Sequence, residues 1–323
     1  MRRFFHAVLA TTLCLVTAAH ASAQTYPSKP IKLVVPYPPG GGSDSVGRLF
    51  AQRLSEKIGQ PVIVENISGA GGSVGAALVA KAAPDGYTLL MGNTGPNAIS
   101  PNLLKNVPYD VDKDFTPISV VASQPLFVLV NKTSPYKTFA DLVAAGKQEP
   151  GKLNFSSSGT GGLSHLAGEL ISSTTGAKFV HVPYKGGAPA MLAILSGDVV
   201  FHTPSAIDGV QQVAGGKMRG LVVTSAKRWP ATPDIPTVIE AGYPDLEINF
   251  WYALFAPANL PAPVREKLSA TTRLVLDDPA TKKAFDTLGS VATPTTSQEL
   301  RALVQSDEKR YAKVIAASGV EKQ

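Results

Sequence analysis

The feature that most constrains the fold is a weak internal repeat of strands, glycine-rich loops and helices. The first copy begins at Leu33 and runs from "LVVPYPPGGGSD" to "DGYTLLMG", and the second begins at Leu153 and runs from "LNFSSSGTGGLSH" to "GDVVFHT". Both copies predict strand, loop, helix, glycine, strand, loop, helix, turn and strand, in that order. Two such βαβαβ units predict two parallel sheets covered by helices. The fold class is therefore α/β, in two lobes.

Two long apolar segments connect the units. The segment "FTPISVVASQPLFVLVNK" leaves the first unit at Phe115, and "LEINFWYALFAP" returns from the second unit at Leu246. Each is long enough to cross between lobes as an extended strand, and two crossing strands form a hinge. We predict a first lobe of residues 24–122 and 248–323 and a second lobe of residues 123–247, joined by these two crossover strands.

Three helical patterns follow the return segment. They are "PAPVREKLSATTRLVLDD", "PATKKAFDTLG" and "TSQELRALVQSDEKRYAKVIAAS". The four residues "TSQE", from Thr296 to Glu299, are a capping-box pattern typical of a helix start. We expect all three helices to pack on the first lobe.

The first 23 residues predict export. Arg2 and Arg3 precede a short apolar stretch, which ends in "ASA" at Ala23. The stretch is shorter than the roughly 20 residues that a membrane-spanning helix needs, so we predict a signal peptide cleaved near Ala23 and a periplasmic protein. Cys14 lies inside the apolar stretch, where a lipid attachment site is not expected. Its removal leaves a chain without disulfides, held together by its core.

Charge and motifs argue against several classes of function. The chain has a formal net charge of +6 but no cluster of Lys or Arg, so nothing supports nucleic acid binding. No G-x-G-x-x-G or G-x-x-x-x-G-K-[ST] motif occurs, which argues against a nucleotide cofactor. The histidines after the signal, His165, His181 and His202, lack metal-ligand spacing. Ser164 and His165 are neighbours on a predicted helix and face different ways, so they cannot pair as a nucleophile and its base. We therefore predict no cofactor, no metal, no catalytic residues and no enzyme activity.

Four glycine-rich loops are predicted to meet in the cleft between the lobes. In a parallel sheet such loops lie at the carboxyl edge, and here each precedes a helix. A helix start has unpaired N–H groups and a partial positive charge, and glycine lets a ligand approach that backbone closely. One such loop is ordinary turn chemistry, but four together predict an anion site without arginine. Loops one to four are Pro36–Asp44, Glu65–Ser73, Ser156–His165 and Pro183–Pro189.

Several segments resemble a known family. "YPSKPIKLVVPYPPGGGSDSVGRLFAQRLSEKIGQPVIVENISGAGGSVGA", "APDGYTLLMGN", "GTGGLSHLAGEL" and "VPYKGGAPAM" are similar to the Bug family, the periplasmic solute receptors of tripartite tricarboxylate transporters. The similarity covers essentially the whole chain after the signal. It implies a type II periplasmic binding protein that closes on a small carboxylate, a di- or tricarboxylate or an aromatic acid, and delivers it to membrane transporter subunits.

The resemblance also implies how the ligand is held. In the family, backbone amides and ordered waters of the loop matching "PPGGGSD" typically bind the carboxylate, and the loop matching "SSSGTGG" closes over it. Many members have no linked transporter, so an orphan receptor that feeds a signalling system is an alternative. An exported enzyme is a further, weaker one. Nothing in the sequence demands an oligomer, and we expect a monomer.

The first lobe is expected to bind the ligand mainly through loop one. Asp44 serves either as the helix N-cap or as a partner for a ligand ammonium or hydroxyl. One serine follows loop two at a helix start, and two side chains after "YTLLMG" can donate hydrogen bonds. The predicted binding residues of this lobe are Tyr37, Pro39, Gly40, Gly41, Gly42, Ser43, Asp44, Ser73, Asn93 and Thr94.

The second lobe is expected to contribute hydroxyls and backbone groups from loops three and four. Lys185 is the one cation inside the four loops. It is either a solvated rim residue or, if it points inward, a partner for a second carboxylate, which would favour dicarboxylates. The predicted binding residues of this lobe are Ser158, Thr160, Gly161, Gly162, His165, Tyr184, Lys185, Gly186, Thr203 and Ser205.

Overall fold

The computed structural model describes residues 26–318 and residue 322. The predicted signal peptide, residues 1–23, lies outside the described residues. Within the described part, none of the helices is long and apolar enough to cross a membrane. The elements alternate between strand and helix as the repeat predicts, and they build two separate sheets.

The strands and helices are numbered here in chain order. The strands are β1 (Ile31–Val35), β2 (Val62–Asn66), β3 (Thr88–Asn93), β4 (Phe115–Pro125), β5 (Phe127–Asn131), β6 (Leu153–Ser157), β7 (Phe179–Pro183), β8 (Phe201–His202), β9 (Met218–Val223), β10 (Asn249–Pro257) and β11 (Val291–Ala292). The helices are α1 (Gly42–Ile58), α2 (Ser73–Ala80), α3 (Ser100–Leu103), α4 (Val111–Asp114), α5 (Phe139–Gln148), α6 (Leu163–Thr175), α7 (Gly187–Ser196), α8 (Ala206–Ala214), α9 (Ala262–Asp277), α10 (Pro279–Thr287) and α11 (Ser297–Ser318).

The first lobe is built on a six-stranded sheet in the order β11-β4-β10-β3-β1-β2. β1 pairs in parallel with both β2 and β3, as a βαβαβ unit requires. β10, which returns from the second lobe, runs antiparallel between β3 and β4. Helix α1 places Val46, Phe50 and Leu54 at spacings of four residues, so one apolar face is buried in the core.

The second lobe is built on a five-stranded sheet in the order β7-β6-β8-β5-β9. β6 pairs in parallel with β7 and β8, which repeats the arrangement of the first lobe. The repeat extends to helix ends, because Gly59 after α1 and Gly176 after α6 both adopt the left-handed conformation, with φ of 80° and 73°. Glycine is favoured there because a Cβ would clash with the backbone. The prediction of a duplicated two-lobed α/β fold is confirmed.

The chain changes sheets at one residue on its outward path. β4 stays paired with β10 and β11 in the first sheet, and Leu126 separates it from β5 in the second sheet. The predicted division at residue 122 therefore falls inside β4, and by sheet membership the division lies at Leu126. The exact extent of each lobe along the chain stays a prediction.

The last helix packs on the first lobe, as expected, and it also packs on the second lobe. α11 contacts β4 and also α6 of the second lobe, where Tyr311 and Val314 share a buried cluster with Leu166. A helix of 22 residues is about 33 Å long, so it can span the junction. The capping box is confirmed, because Glu299 N–H donates to Thr296 Oγ1 at 3.2 Å and Thr296 N–H donates to Glu299 Oε2 at 2.7 Å.

Candidate functional site

A cavity of about 430 Å³ lies where the loops of the two lobes meet. This volume falls in the range of roughly 300–1,000 Å³ that is typical of small-molecule sites. The segments that connect the two sheets contribute Leu126 and Phe250, the latter from β10. The predicted binding residues that line the cavity are Tyr37, Ser43, Ser158, Thr160, Gly161, Gly162, Thr203 and Ser205.

The other predicted binding residues lie outside the cavity lining. Four of them form the glycine-rich tip of loop one, and three belong to loop four, where Lys185 is exposed. Five are buried behind the cavity wall. The residues of loop one are Pro39, Gly40, Gly41 and Gly42, those of loop four are Tyr184, Lys185 and Gly186, and the buried residues are Asp44, Ser73, Asn93, Thr94 and His165.

The N-cap of the first helix is not Asp44. α1 begins at Gly42, its N-cap is Gly41, and Asp44 is the third residue of the helix. The prediction that Asp44 is the N-cap is therefore wrong, because the helix begins two residues before Asp44 and the extended residue that precedes the helix is Gly41. Asp44 still acts on the loop, but through its buried carboxylate rather than as a cap.

The Asp44 carboxylate braces loop one from behind. Its Oδ2 accepts hydrogen bonds from Gly40 N–H and from Arg48 Nε, both at 2.9 Å. Its Oδ1 accepts a hydrogen bond from Asn66 Nδ2, also at 2.9 Å. Burial alone raises the pKa of a carboxyl, but these hydrogen bonds outweigh it and lower the pKa of Asp44. The carboxylate thus fixes loop one and already accepts three hydrogen bonds from the chain.

Replacing Asp44 with alanine is expected to loosen loop one and to cost about 1 kcal/mol of folding free energy, since Arg48 is largely solvated. For a chain of this size the melting temperature should fall by roughly 2 °C. Thermal unfolding of Asp44→Ala beside Asp286→Ala, which changes an exposed aspartate of α10, measures the effect. Equal melting temperatures in the two variants would contradict the bracing role.

The first-lobe wall of the cavity is a hydrogen-bonded unit. The Tyr37 hydroxyl lies 3.0 Å from the Gly71 carbonyl oxygen and 3.1 Å from Asn93 Oδ1, both acceptors. Gly95 N–H also donates to Asn93 Oδ1, at 2.9 Å, and Asn93 Nδ2 donates to Ser43 Oγ at 3.4 Å. Burial raises the pKa of the Tyr37 phenol, so it stays protonated as a donor. Asn93 therefore positions residues that line the cavity without lining it.

The second-lobe wall is the start of α6. Ser158 N–H donates to Ser164 Oγ at 3.0 Å, and Thr203 Oγ1 donates to the Ser164 carbonyl oxygen at 2.6 Å, which fixes loop three on the helix. The N-cap is Gly162, which has no side chain to cap the helix, and no acidic residue occupies the first turn. The first N–H groups of α6 therefore keep their partial positive charge toward the cavity.

His165 supports loop three from behind. Its Nδ1 accepts a hydrogen bond from Gly161 N–H at 2.9 Å, and its ring stacks on His181 at 3.7 Å between centroids. His181 in turn makes a 2.6 Å hydrogen bond with Ser157 Oγ. Burial, together with the neighbouring His165, lowers the pKa of His181 to about 4. The stacked pair therefore acts as packing beneath the loop.

His202 lines the cavity as a neutral ring. It is 2% exposed, and its Nδ1 lies 2.8 Å from the Ser156 carbonyl oxygen. A carbonyl can only accept, so Nδ1 carries the proton. Burial lowers the pKa of His202 to about 4, although the hydrogen bond to Ser156 partly opposes this. The ring therefore adds no positive charge to the cavity near neutral pH.

Several lining residues were not among the predicted binding residues. The apolar part of the wall comprises Ile99, Leu103, Leu104, Leu126 and Phe250, which in the sequence look like core residues. Asp208, in the first turn of α8, also lines the cavity. The sequence signal that could have found it is its position three residues after Ser205, which was predicted. Within the part of the chain that the structure describes, no group of three or more His, Cys, Asp or Glu could hold a metal ion.

A two-lobed α/β chain with a cavity between its lobes, lined by uncapped helix starts, has the fold and the site of a solute-binding receptor. The family model of the tripartite tricarboxylate transporter family receptors matches residues 46–320, and the chain belongs to that family. Its relatives are receptors rather than enzymes, so the chain is a solute-binding receptor.

Individual relatives cover nearly all of the chain. A UPF0065 protein in the TAR-I ttuE-ttuC' intergenic region of Agrobacterium vitis is 40% identical over 99% of this chain and 92% of that protein. Protein BugT of Bordetella pertussis is 34% identical over 94% of this chain and 93% of its own length.

Two solved structures of relatives contain carboxylates. Rpa4515 of R. palustris with adipate has a TM-score of 0.81 and 34% identity, covering 91% of this chain and 98% of that chain. MatC (Rpa3494) from Rhodopseudomonas palustris with bound malate has a TM-score of 0.78 and 31% identity, covering 90% of this chain and 100% of that chain.

Proposed function

We propose that this receptor captures a small carboxylate in the interlobe cavity and delivers it to the membrane subunits of a tripartite tricarboxylate transporter. The observation that carries the proposal is the start of α6, which faces the cavity with a glycine N-cap and no acidic residue in its first turn. Such a helix start favours an anion. The adipate and malate bound to the two structural relatives agree with a carboxylate.

Binding is coupled to closure of the lobes. The first lobe offers the Tyr37 and Ser43 wall, and the second lobe offers loop three and the start of α6. A ligand that touches both walls has higher affinity for the closed arrangement and shifts the population toward it, about the crossover strands β4–β5 and β10. The membrane subunits then recognise the closed shape. We also infer export to the periplasm with cleavage near Ala23, and a monomeric receptor.

A thermal-shift panel tests the function. The purified chain, refolded from denaturant to remove any carried-over ligand, is melted with mono-, di- and tricarboxylates, aromatic acids, amino acids and sugars. A ligand at about 100 times its dissociation constant adds about 2.7 kcal/mol, or roughly 5 °C for a chain of this size. We expect a shift with a few carboxylates and none with sugars. A flat response to every acid would overturn the proposal.

A further inference from the structure

The charges that line the cavity are asymmetric. Asp208 is the one charged side chain of the lining, among the residues that the structure describes, and neither Lys nor Arg belongs to it. His202 is neutral, as its hydrogen bond and burial require. Lys185, the cation that was expected to pair with a second carboxylate, is exposed and lies outside the lining. The side chains of the cavity lining therefore carry a net negative charge, although the start of α6 attracts anions.

Asp208 differs from Asp44, an acid at the same position of another helix that begins near the cavity. Asp44 and Asp208 are each the third residue of their helix, α1 and α8. The Asp44 oxygens are occupied by Arg48 and two further donors. Within residues 26–318 and 322, the Asp208 carboxylate accepts one side-chain hydrogen bond, from Ser205 Oγ at 3.2 Å, and has no ion-pair partner. Asp208 therefore keeps acceptor capacity and negative charge for a ligand.

The surroundings of Asp208 strengthen its effect on a ligand. Its side chain is exposed toward the cavity, and partial burial of the carboxyl raises its pKa. Gly187, at the start of α7, lies close by, since a Cβ placed on it would be 3.9 Å from Asp208 Oδ2. The field of a charge in a cleft is less screened by water than that of a charge on an open surface. A like charge placed beside Asp208 is correspondingly disfavoured.

The remaining lining combines polar and apolar surface. The start of α6 attracts a carboxylate, and Ile99, Leu103 and Phe250 supply apolar surface. A ligand that fills such a cavity has a carboxylate head, an apolar body and a group that pairs with Asp208. A second carboxylate meets no cation in the lining and faces Asp208, whereas an ammonium or hydroxyl group donates to it.

We propose that Asp208 is a specificity-determining residue that selects carboxylates whose apolar body carries a hydrogen-bond donor, with an ammonium preferred, over diacids of the same length. This inference rests on the proposed function, because it assumes that the cavity binds a carboxylate at all. It adds the chemistry of the second end of the ligand, which the family membership leaves open.

Matched ligand series test the selectivity by titration calorimetry. The six-carbon series is hexanoate, adipate and 6-aminohexanoate, and the four-carbon series is butanoate, succinate and 4-aminobutanoate. In at least one series the amino acid should bind about tenfold or more tightly than the diacid, which corresponds to about 1.4 kcal/mol. Asp208→Asn should remove that preference by weakening the amino acid and strengthening the diacid. Asp234→Asn, which changes an exposed aspartate outside the cavity lining, should leave it intact.

The outcomes separate this inference from the function on which it rests. Binding of diacids or unsubstituted acids without a preference for the amino acid overturns the inference and leaves carboxylate capture standing. An unchanged preference in Asp208→Asn also overturns it, because the selectivity would then come from other residues. Binding by none of the six compounds, together with a flat thermal-shift panel, overturns both.

Discussion

Replacing Gly161 with alanine is expected to lower the affinity for the ligand about a hundredfold while both lobes stay folded. Gly161 lies in loop three with a φ of +74°, and a Cβ there would come 1.8 Å from Leu103 Cδ2 and 3.0 Å from its Cγ. Leu103 belongs to the first lobe, so the added methyl group would separate the two walls of the cavity. The left-handed backbone costs about 1 kcal/mol, and overpacking costs about 2 kcal/mol. Together these costs correspond to a loss of about a hundredfold in affinity.

Two neighbouring glycines provide matched controls for this variant. Gly159 has a φ of +144°, but its nearest neighbour would be 3.8 Å away, so Gly159→Ala adds backbone strain without a clash. Gly162 has an ordinary φ of −69° and would meet a carbonyl oxygen at 3.3 Å, so Gly162→Ala adds little of either. The affinity measured by calorimetry should therefore be highest for Gly162→Ala, lower for Gly159→Ala and lowest for Gly161→Ala.

A second substitution separates the clash from damage to the loop. Leu103→Ala removes the side chain that the new methyl group would meet, so the double variant should regain the part of the affinity lost to overpacking. Equal affinities in Gly161→Ala and Gly162→Ala would show that the approach of loop three to Leu103 is not needed for binding. A melting temperature that falls as far as the affinity does would assign the loss to the fold.

Local signals in the sequence were sufficient to predict most of the fold. The repeat predicted a glycine after the first helix of each copy, and Gly59 and Gly176 end those helices. A left-handed glycine at a helix end has a local cause, so it can be predicted from the sequence. The contact of α11 with α6 has no such signal. It depends on where two segments far apart in the chain meet, and the helical periodicity of α11 indicates a buried face without indicating which partner buries it.

The cavity was predicted at the level of loops, not of atoms. Parallel-sheet topology places the glycine-rich loops at one edge, and loop three indeed lines the cavity from Ser158 to Ser164. Which residues of a loop turn inward depends on contacts across the chain, such as the Asp44 brace that holds loop one by Gly40. The apolar wall was missed for a different reason, because Leu103 and Leu126 are as buried as core residues and have the same sequence pattern.

The stability of the folded chain is expected to fall by about 2 kcal/mol between pH 7 and pH 4.5 because of His202 alone. The pKa of His202 is about 4 in the folded chain, against 6.5 for an unburied histidine. Between these values the unfolded chain binds the proton and the folded chain does not, so acid favours unfolding. The contribution is complete above pH 6.5 and is lost progressively as the pH falls toward 4. Urea unfolding of the natural chain and of a His202 variant at the two pH values measures it, because His181, whose pKa is also about 4, contributes equally to both.

The substitution His202→Asn isolates this contribution. The asparagine amide can still donate to the Ser156 carbonyl, as Nδ1 does at 2.8 Å, but it cannot take up a proton. The variant should therefore lose less stability than the natural chain between pH 7 and pH 4.5. Buried Asp307 has a raised pKa and acts in the opposite direction, but it is common to both proteins and cancels in the comparison. Identical pH dependence in the two proteins would show that His202 is not held neutral by burial.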